Sequence, residues 1–271
     1  MEFQGKTIAV LGAGNIGSAV ARGIVGAGLA APRDIVLTRR RADHLEQFAR
    51  EGFRTVVDNR AAVERAGIVI LAVTPQQLNH LLAEIGAGIT PGQHTVVSLV
   101  SGASIAEISQ KLPRGVTVIR AMPNTAIAIR QSMTCIAAAD QGEELATVKR
   151  LFEGLGKVVV IEEELMIPAT ALCACGIAFF LRAIRAASQG GIEIGFHAED
   201  ALLMAAQTAR GAASLLVEGR SHPESEVDRV TTPQGCTISG LNQMEHNGFS
   251  SALIKGIVTS AEKAAVLYAP K

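Results

Sequence analysis

Up to Glu162 the hydrophobic positions fall into two alternating textures. Short, β-branched apolar runs predict strands at Thr7–Leu11, Ile35–Thr38, Ile68–Val73, Thr95–Leu99, Val116–Arg120, Met133–Ala138 and Lys157–Ile161. Between them, apolar residues recur at helical spacing over Asn15–Gly28, Arg41–Glu51, Pro75–Gly86, Ile105–Lys111 and Gly142–Leu155. That alternation predicts an α/β fold, a largely parallel sheet with helices on both faces, and no Pro/Gly/Ser-rich linker interrupts it. Beyond Glu162 the strand texture stops. Helical periodicity then runs through Ile167–Ser188, Ala198–Glu218, Cys236–His246 and Ser250–Tyr268. Two domains are expected, an α/β domain over 1–162 and an all-helical one over 163–271, with the boundary near Glu162–Glu164. The helical half, of roughly one hundred residues, is too thin and too alanine-rich to look self-sufficient, and alanine-rich helices allow close approach, which points to dimerisation through it.

The first strand leads directly into Gly12-x-Gly14-x-x-Gly17, and an amphipathic helix opens at Asn15. In a strand–turn–helix context those glycines have separate tasks: a tight turn, close backbone approach to a pyrophosphate, and close helix–strand packing. The free N–H groups and positive end of the next helix then face the phosphates. Gly12, Gly14, Asn15, Ile16 and Gly17 are therefore the expected dinucleotide cradle. About 20 residues further on, an NAD-selective site places an acidic residue to hold both ribose hydroxyls. Here the second strand ends in Thr38-Arg39-Arg40-Arg41. Hydroxyl and guanidinium groups suit a 2′-phosphate, so NADP(H) is preferred, with NAD(H) still open. For any single arginine of the run, a solvated helix start is the competing reading.

Composition narrows the partners. The 25 basic and 25 acidic residues cancel, leaving no electrostatic footprint for nucleic acid or an anionic membrane, and the absence of Trp with a single Tyr argues against base-stacking platforms. Cys135, Cys173, Cys175 and Cys236 show neither CxxC spacing nor a secreted-scaffold pattern, and read as reduced thiols of a cytoplasmic protein with no metal site. Met1–Gln4 lacks the basic and apolar regions of a signal peptide. Leu165–Leu181 is uncharged, close to a spanning length, but its Pro, Gly, Ala and Cys content fits a core or subunit-interface helix better than a membrane one. The six histidines are scattered without ligand spacing and read as surface or capping residues.

Several ordered blocks resemble pyrroline-5-carboxylate reductase: the glycine fingerprint, Ala72-Val-Thr-Pro75, Arg120-Ala-Met-Pro-Asn-Thr125, Gln189–Gly195, Ala205–Ala213, His222-Pro223, Val230–Ile238, Gly240-Leu241, Glu245 and Gly248-Phe249. Departures concentrate at Cys173-Ala-Cys-Gly-Ile-Ala-Phe179, where the family has S-G-S-G-P-A-Y. Others are Gln234 and Cys236 in the T-P-G-G-T-T loop, Thr74 for a lysine and Ala126 for a proline. The resemblance implies a Rossmann-type dinucleotide-binding domain followed by an all-α dimerisation domain. It implies hydride transfer to the C=N of 1-pyrroline-5-carboxylate, giving proline, in a homodimer or a larger ring of dimers. Thr232, Gly235, Cys236 and Thr237 would hold the substrate carboxylate, with Thr237 as the catalytic hydroxyl beside the imine nitrogen, and Glu163 matches a position near the product site. On the cofactor side, Asn59 would approach the adenosine ribose, while Ala72, Val73, Thr74, Pro75, Ser101 and Gly102 border the nicotinamide and Asn124 braces the wall.

Read from the residues alone, Val230–Ile238 is a turn that opens a helix, and helix-opening N–H groups with adjacent hydroxyls suit a carboxylate. A plain cap, with Thr237 capping Gly240–His246, is the other reading. Glu163 within Glu162-Glu163-Glu164 likewise fits a solvated acidic run. Threonine is a poor general acid at neutral pH, so Thr237 is expected to orient the imine rather than to protonate it. The alternatives are another NADP-dependent reductase of the β-hydroxyacid dehydrogenase or ketopantoate reductase type, with Lys149, Lys157, Lys255 or Lys263 as proton donor, and a non-catalytic NADP-binding sensor.

Overall fold

Residues of β1 (Thr7–Leu11) alternate between two separate cores, Ile8 and Val10 on one side and Ala9 and Leu11 on the other. The period of two that the pleat imposes is kept across the sheet, so every central strand is apolar on both faces and must be covered on both. The computed structural model describes residues 3 and 6–266.

The chain continues through α1 (Asn15–Gly26), β2 (Ile35–Thr38), α2 (Glu46–Arg50), β3 (Arg54–Val56), α3 (Asn59–Val63), β4 (Ala66–Leu71) and α4 (Pro75–Ile85). It then forms β5 (Thr95–Ser98), α5 (Ile105–Ser109), β6 (Thr117–Met122), β7 (Ser132–Ala138), α6 (Glu143–Glu153) and β8 (Gly156–Val160). The strands make one sheet in the order β3-β2-β1-β4-β5-β6-β7-β8, parallel except where β7 runs antiparallel to β6. On one face α1, α2 and α6 contribute Val20, Ile24, Phe48, Val148 and Phe152. On the other, α3, α4 and α5 contribute Val63, Leu78, Leu82 and Ile108. Strand order reverses between β1 and β4, the position at which open α/β sheets leave a crevice beyond the carboxyl ends.

The predicted strands are present within two residues at each end. Among the described strands and α-helices up to β8, two lie outside the pattern, β3 and α3, each too short to carry a period. The predicted helix Arg41–Glu51 divides into a 3₁₀ turn, Ala42–Leu45, and α2.

Beyond β8 the chain forms α7 (Met166–Ala169), a π-helical stretch Thr170–Cys175, α8 (Gly176–Glu193), α9 (Ala198–Gly219), α10 (Pro223–Val230), α11 (Cys236–His246) and α12 (Phe249–Ala265). The last residues of the predicted helix Ser250–Tyr268 lie outside the described residues. Two compact units result: one runs to Cys175 and takes back the chain from Ser260, the other is Gly176–Thr259. Met166 and Ala169 stay with the sheet, packed on Met122, Cys135 and Ala137.

Within the second unit, Gly191 lies where a methyl group would sit 3.0 Å from the Ala201 Cβ, so α8 and α9 approach closely through small residues. Its helices bury little: α9 only Ala201, α10 and α11 nothing. Phe180, Leu181, Ile194, Leu203, Val217 and Ile254 are all exposed. Among the described residues, the run Glu163–Glu193 is long and apolar enough to cross a membrane by length and composition, with a mean hydropathy of 1.9. In the single chain 28% of its apolar 18-residue window is buried, less than a core helix requires, and of the core-or-interface expectation the interface half is the one compatible with that exposure.

Gly156 opens β8 at φ +148, and a Cβ there would collide with the Ser132 backbone. Gly156→Ala is expected to destabilise the α/β unit by at least about 1–3 kcal/mol, the range for forced overpacking, read as a lower urea midpoint with an unchanged m-value.

Candidate cofactor edge and carboxylate loop

β1 delivers the chain into a turn that only glycine fits. Gly12 has φ +105, and a Cβ on it would lie 2.7 Å from the Ala72 carbonyl oxygen; one on Gly17 would fall well under 3.0 Å from the Gly12 carbonyl oxygen. The Gly12 N–H donates to Thr38 Oγ1 (3.2 Å) and the Ala13 N–H to the Thr38 carbonyl (2.7 Å), so the end of β2 pins the turn. Gly14 is different. Nothing lies within 4 Å of where its Cβ would be, and as N-cap of α1 it provides no side-chain cap. The first N–H groups of α1, on Asn15, Ile16 and Gly17, have no partner within the helix, and they open onto that clear space. A diphosphate fits this cradle: donors without a cap, a positive helix end, and no side chain in the way.

The neighbouring expected residues follow the same edge. Ala72 donates its N–H to the Leu11 carbonyl, and Thr74 is the N-cap of α4 with its hydroxyl uncommitted and Pro75 at the first helical position. Beyond β5, Ser101 and Gly102 (φ +88) turn the chain toward α5. Asn59 sits at the start of α3 and donates its side-chain nitrogen to Glu84 (3.0 Å). Of the arginine run, Arg41 pairs with Asp43 (2.5 Å) and the Arg40 guanidinium meets the Gln77 amide oxygen (2.9 Å). Arg39 has neither kind of partner among the described residues and lines an open pocket of about 240 Å³ with Asp43, His44 and Gln47.

Glu163 is not part of a solvated acidic run. Its carboxylate accepts from the Ile105 N–H (2.6 Å), at the first turn of α5, and from Arg120 Nη1 (3.1 Å). Arg120 is 4% exposed, on β6, and its Nε and Nη2 have no partner among the described residues. Glu163 thus ties α5 and the Val100–Ser104 turn before it to the sheet. A second lock is local: Ser104 and Glu107 form a reciprocal capping box on α5, legible in Ser104-x-x-Glu107 as a sequence signature yet invisible to hydrophobic periodicity. Asn124 is buried as expected of a brace: its side-chain oxygen accepts from Ala126 N–H (3.1 Å) and its nitrogen donates to the Cys173 carbonyl (3.3 Å). His94 departs from the surface-or-cap expectation. It is buried, Nδ1 accepting from the Thr90 N–H (2.9 Å) and Nε2 lying 3.0 Å from the Val63 carbonyl. His222 does cap α10.

In the helical unit, the Val230–Ile238 loop turns through Gln234 at φ +57, and Gly235 is the N-cap of α11 without a side-chain cap. A Cβ on Gly235 would lie 2.5 Å from Thr232 Oγ1, so Thr232 requires glycine there. The helix begins at Cys236, which corrects the plain-cap reading: Thr237 is the second helical residue, not the cap of a helix starting at Gly240. The N–H groups of Cys236, Thr237 and Ile238 are the free donors of that terminus.

Residues 163–267 match the family model described as pyrroline-5-carboxylate reductase dimerisation, and residues 7–102 the one described as NADP oxidoreductase, coenzyme F420-dependent. Pyrroline-5-carboxylate reductase 2 of Dictyostelium discoideum is 49% identical, over 95% of this chain and 92% of its own. The chain belongs to the pyrroline-5-carboxylate reductase family. Pyrroline-5-carboxylate reductase 1 of the same organism is 53% identical across this whole chain, which spans about half (51%) of that relative's length. Among solved structures, pyrroline carboxylate reductase of Plasmodium falciparum with NADP bound has a TM-score of 0.89 at 20% identity, covering 99% of this chain and 100% of its own. The Coxiella burnetii reductase has 0.87 at 26%, covering 98% and 99%. The family's fold, a Rossmann-type α/β domain followed by helices, is the one described above.

Glu163→Ala leaves a buried guanidinium without its counter-charge. Because Glu163 itself is about a third exposed, water relieves part of the cost, and a loss of roughly 1–3 kcal/mol is expected rather than the larger penalty of a fully buried pair. Glu162→Ala and Glu164→Ala are expected within about 0.5 kcal/mol of the parent in urea unfolding.

Proposed function

We propose that this chain reduces 1-pyrroline-5-carboxylate to proline with NADPH preferred over NADH. The observation that carries the reading is two uncapped helix openings entered through a glycine, α1 behind Gly14 and α11 behind Gly235, neither with an acidic residue in its first turn. A third opening of this kind, α6 behind Gly142, carries Glu143 and Glu144 there and does not suit an anion. Openings free of such acidic residues bind anions. The dinucleotide's diphosphate suits the first and a substrate carboxylate the second.

Reduction of a cyclic imine requires a hydride on the C=N carbon, a hydrogen bond at the ring nitrogen and an anchor for the carboxylate. The nicotinamide, when bound, supplies the hydride. Gly12, Gly14, Asn15, Ile16 and Gly17 hold the diphosphate, and Ala72, Val73, Thr74, Pro75, Ser101 and Gly102 border the ring. Thr38 and the unpaired Arg39 take the 2′-phosphate, and Asn59 lies toward the adenosine ribose. Thr232, the Gly235 turn and the N–H groups of Cys236 and Thr237 hold the carboxylate; the Gly235 N–H is itself given to the Thr232 carbonyl (2.9 Å) and shapes the turn. The Thr237 hydroxyl hydrogen-bonds the imine nitrogen and fixes which face of the ring is presented. Its own proton is too tightly held for efficient acid catalysis near neutral pH, so the nitrogen is protonated from solvent. Glu163 contributes indirectly by holding Arg120 and Ile105.

We assign the cofactor to 1–162, and substrate binding and assembly to 163–271. The exposed apolar residues of α8, α9 and α12 support at least a homodimer, with rings of dimers the larger assembly that fits, in the cytoplasm.

Arg39→Leu is expected to weaken NADPH binding about tenfold or more, the scale of losing a hydrogen bond to a charged group, while leaving NADH within about twofold. Thr237→Ala is expected to cut turnover with little change in NADPH affinity; the guide is the ~2.7–4 kcal/mol of a single oxyanion-hole donor, an upper figure for a loop with several donors. Cofactor titration by fluorescence alongside steady-state kinetics reads both, and equal losses in turnover and NADPH affinity for Thr237→Ala contradict its assignment.

A further inference from the structure

The α/β unit carries a piece of sulfur chemistry that imine reduction does not use. Cys135 on β7 and Cys173 in the π-helical stretch face each other with their sulfurs 3.9 Å apart. Around them Met122, Ala137, Met166 and Ala169 form a small apolar cluster, with Ala174 at its margin. The two thiols differ in exposure: Cys135 is 6% exposed, whereas Cys173 is only partly buried. They also differ in charge. The sulfur–sulfur contact lowers the Cys173 thiol to about 7 and drives the Cys135 thiol, the more deeply buried of the two, well above its ordinary value. At neutral pH one sulfur is therefore a reachable nucleophile and the other a protonated neighbour behind it, the arrangement in which oxidation is selective.

We propose that Cys173 and Cys135 form a hydroperoxide-responsive thiol pair, Cys173 reacting first and Cys135 resolving it to an intramolecular disulfide. In the first step the Cys173 thiolate attacks one oxygen of the hydroperoxide. The S–O bond forms as the O–O bond breaks, and the leaving alkoxide or hydroxide takes a proton from solvent, leaving a sulfenic acid on Cys173. In the second step the Cys135 sulfur attacks the sulfenic sulfur. The S–S bond forms, the S–O bond breaks, and the departing hydroxide leaves as water with the Cys135 proton. The two thiols give up two electrons and the peroxide takes them.

The geometry asks for little movement. A disulfide needs sulfurs at about 2.05 Å, and the side chains start in contact on a segment wound as a π-helix, a form found mostly as single turns at functional sites. Closing the bridge links β7 directly to the first helix beyond the sheet. It also acts on the Asn124 brace, because the carbonyl that Asn124 holds is that of Cys173. Cys175 and Cys236, the other two thiols, have no sulfur neighbour among the described residues. A transient, reducible bridge is the form that intracellular disulfides usually take.

The test uses the reduced full chain, treated with hydrogen peroxide, blocked with N-ethylmaleimide, denatured and mapped by mass spectrometry. The expected result is loss of maleimide labelling at two sites together, a cross-linked peptide joining Cys135 to Cys173, and recovery of both sites with dithiothreitol. Cys135→Ser should stop at a Cys173 sulfenic acid that a dimedone probe captures, and Cys173→Ser should leave Cys135 fully labelled. If Cys175 or Cys236 is oxidised while Cys135 and Cys173 both stay labelled, or if Cys173 passes to sulfinic acid without any cross-link, the proposal is overturned. The mapping of the unmutated chain decides this without relying on the variants folding, and it does not depend on the reductase reading.

Discussion

The carboxyl edge of the sheet depends on how closely α1 is set against the turn after β1. With no side chain on Gly12 or Gly17, the first turn of the helix lies directly on the Gly12 carbonyl and beside Ala72. That approach aims the uncapped N–H groups of Asn15, Ile16 and Gly17 past Gly14 into open space, at the point where strand order reverses. Thr38 holds the arrangement from the β2 side through both its hydroxyl and its carbonyl. The same threonine that replaces the acidic residue of an NAD site is therefore also a structural pin, and it places Arg39 at the pocket beside it.

A second constraint joins the sheet to the chain beyond β8. Arg120 is an interior charge whose counter-ion, Glu163, comes from that later segment, and the same carboxylate closes the first turn of α5. Buried charges persist only when paired and hydrogen-bonded. The pair therefore fixes where the chain leaves the sheet, and with it the turn through Ser101 and Gly102 that precedes α5. The helical unit has no comparable interior. Its small residues allow close approach, as at Gly191 and Ala201, and its large apolar side chains remain exposed in a single chain. That composition suits association with a second copy.

Local patterns carried most of the fold, because strands buried on both faces and long amphipathic helices leave a periodic signature that needs no tertiary information. The omissions have physical causes. Three-residue β3 and five-residue α3 are shorter than the period that would reveal them. The polar helix α10 buries nothing, so its only signals are His222 and Pro223 at its start. A π-turn such as Thr170–Cys175 differs from an α-helix by hydrogen-bond register, to which side-chain spacing is blind. The Gly12–Gly17 turn and the Thr232–Thr237 helix opening were readable as local structure because their residues are contiguous. Arg120 with Glu163, Cys135 with Cys173, and the burial of His94 depend on residues brought together from far apart in the chain, and nothing local announces them. Helical periodicity placed α11 at Cys236–His246, where it is found, and that start puts Thr237 inside the helix rather than at its cap.

The most direct test of imine reduction by this chain is NADPH oxidation followed at 340 nm on addition of 1-pyrroline-5-carboxylate, with ketopantoate and a six-membered cyclic imino acid run in parallel. The predicted result is rapid, saturable oxidation with the five-membered imine, proline as the product, and little or none with ketopantoate. Tight NADPH binding without turnover of that imine, or faster turnover of the keto acid, would contradict it.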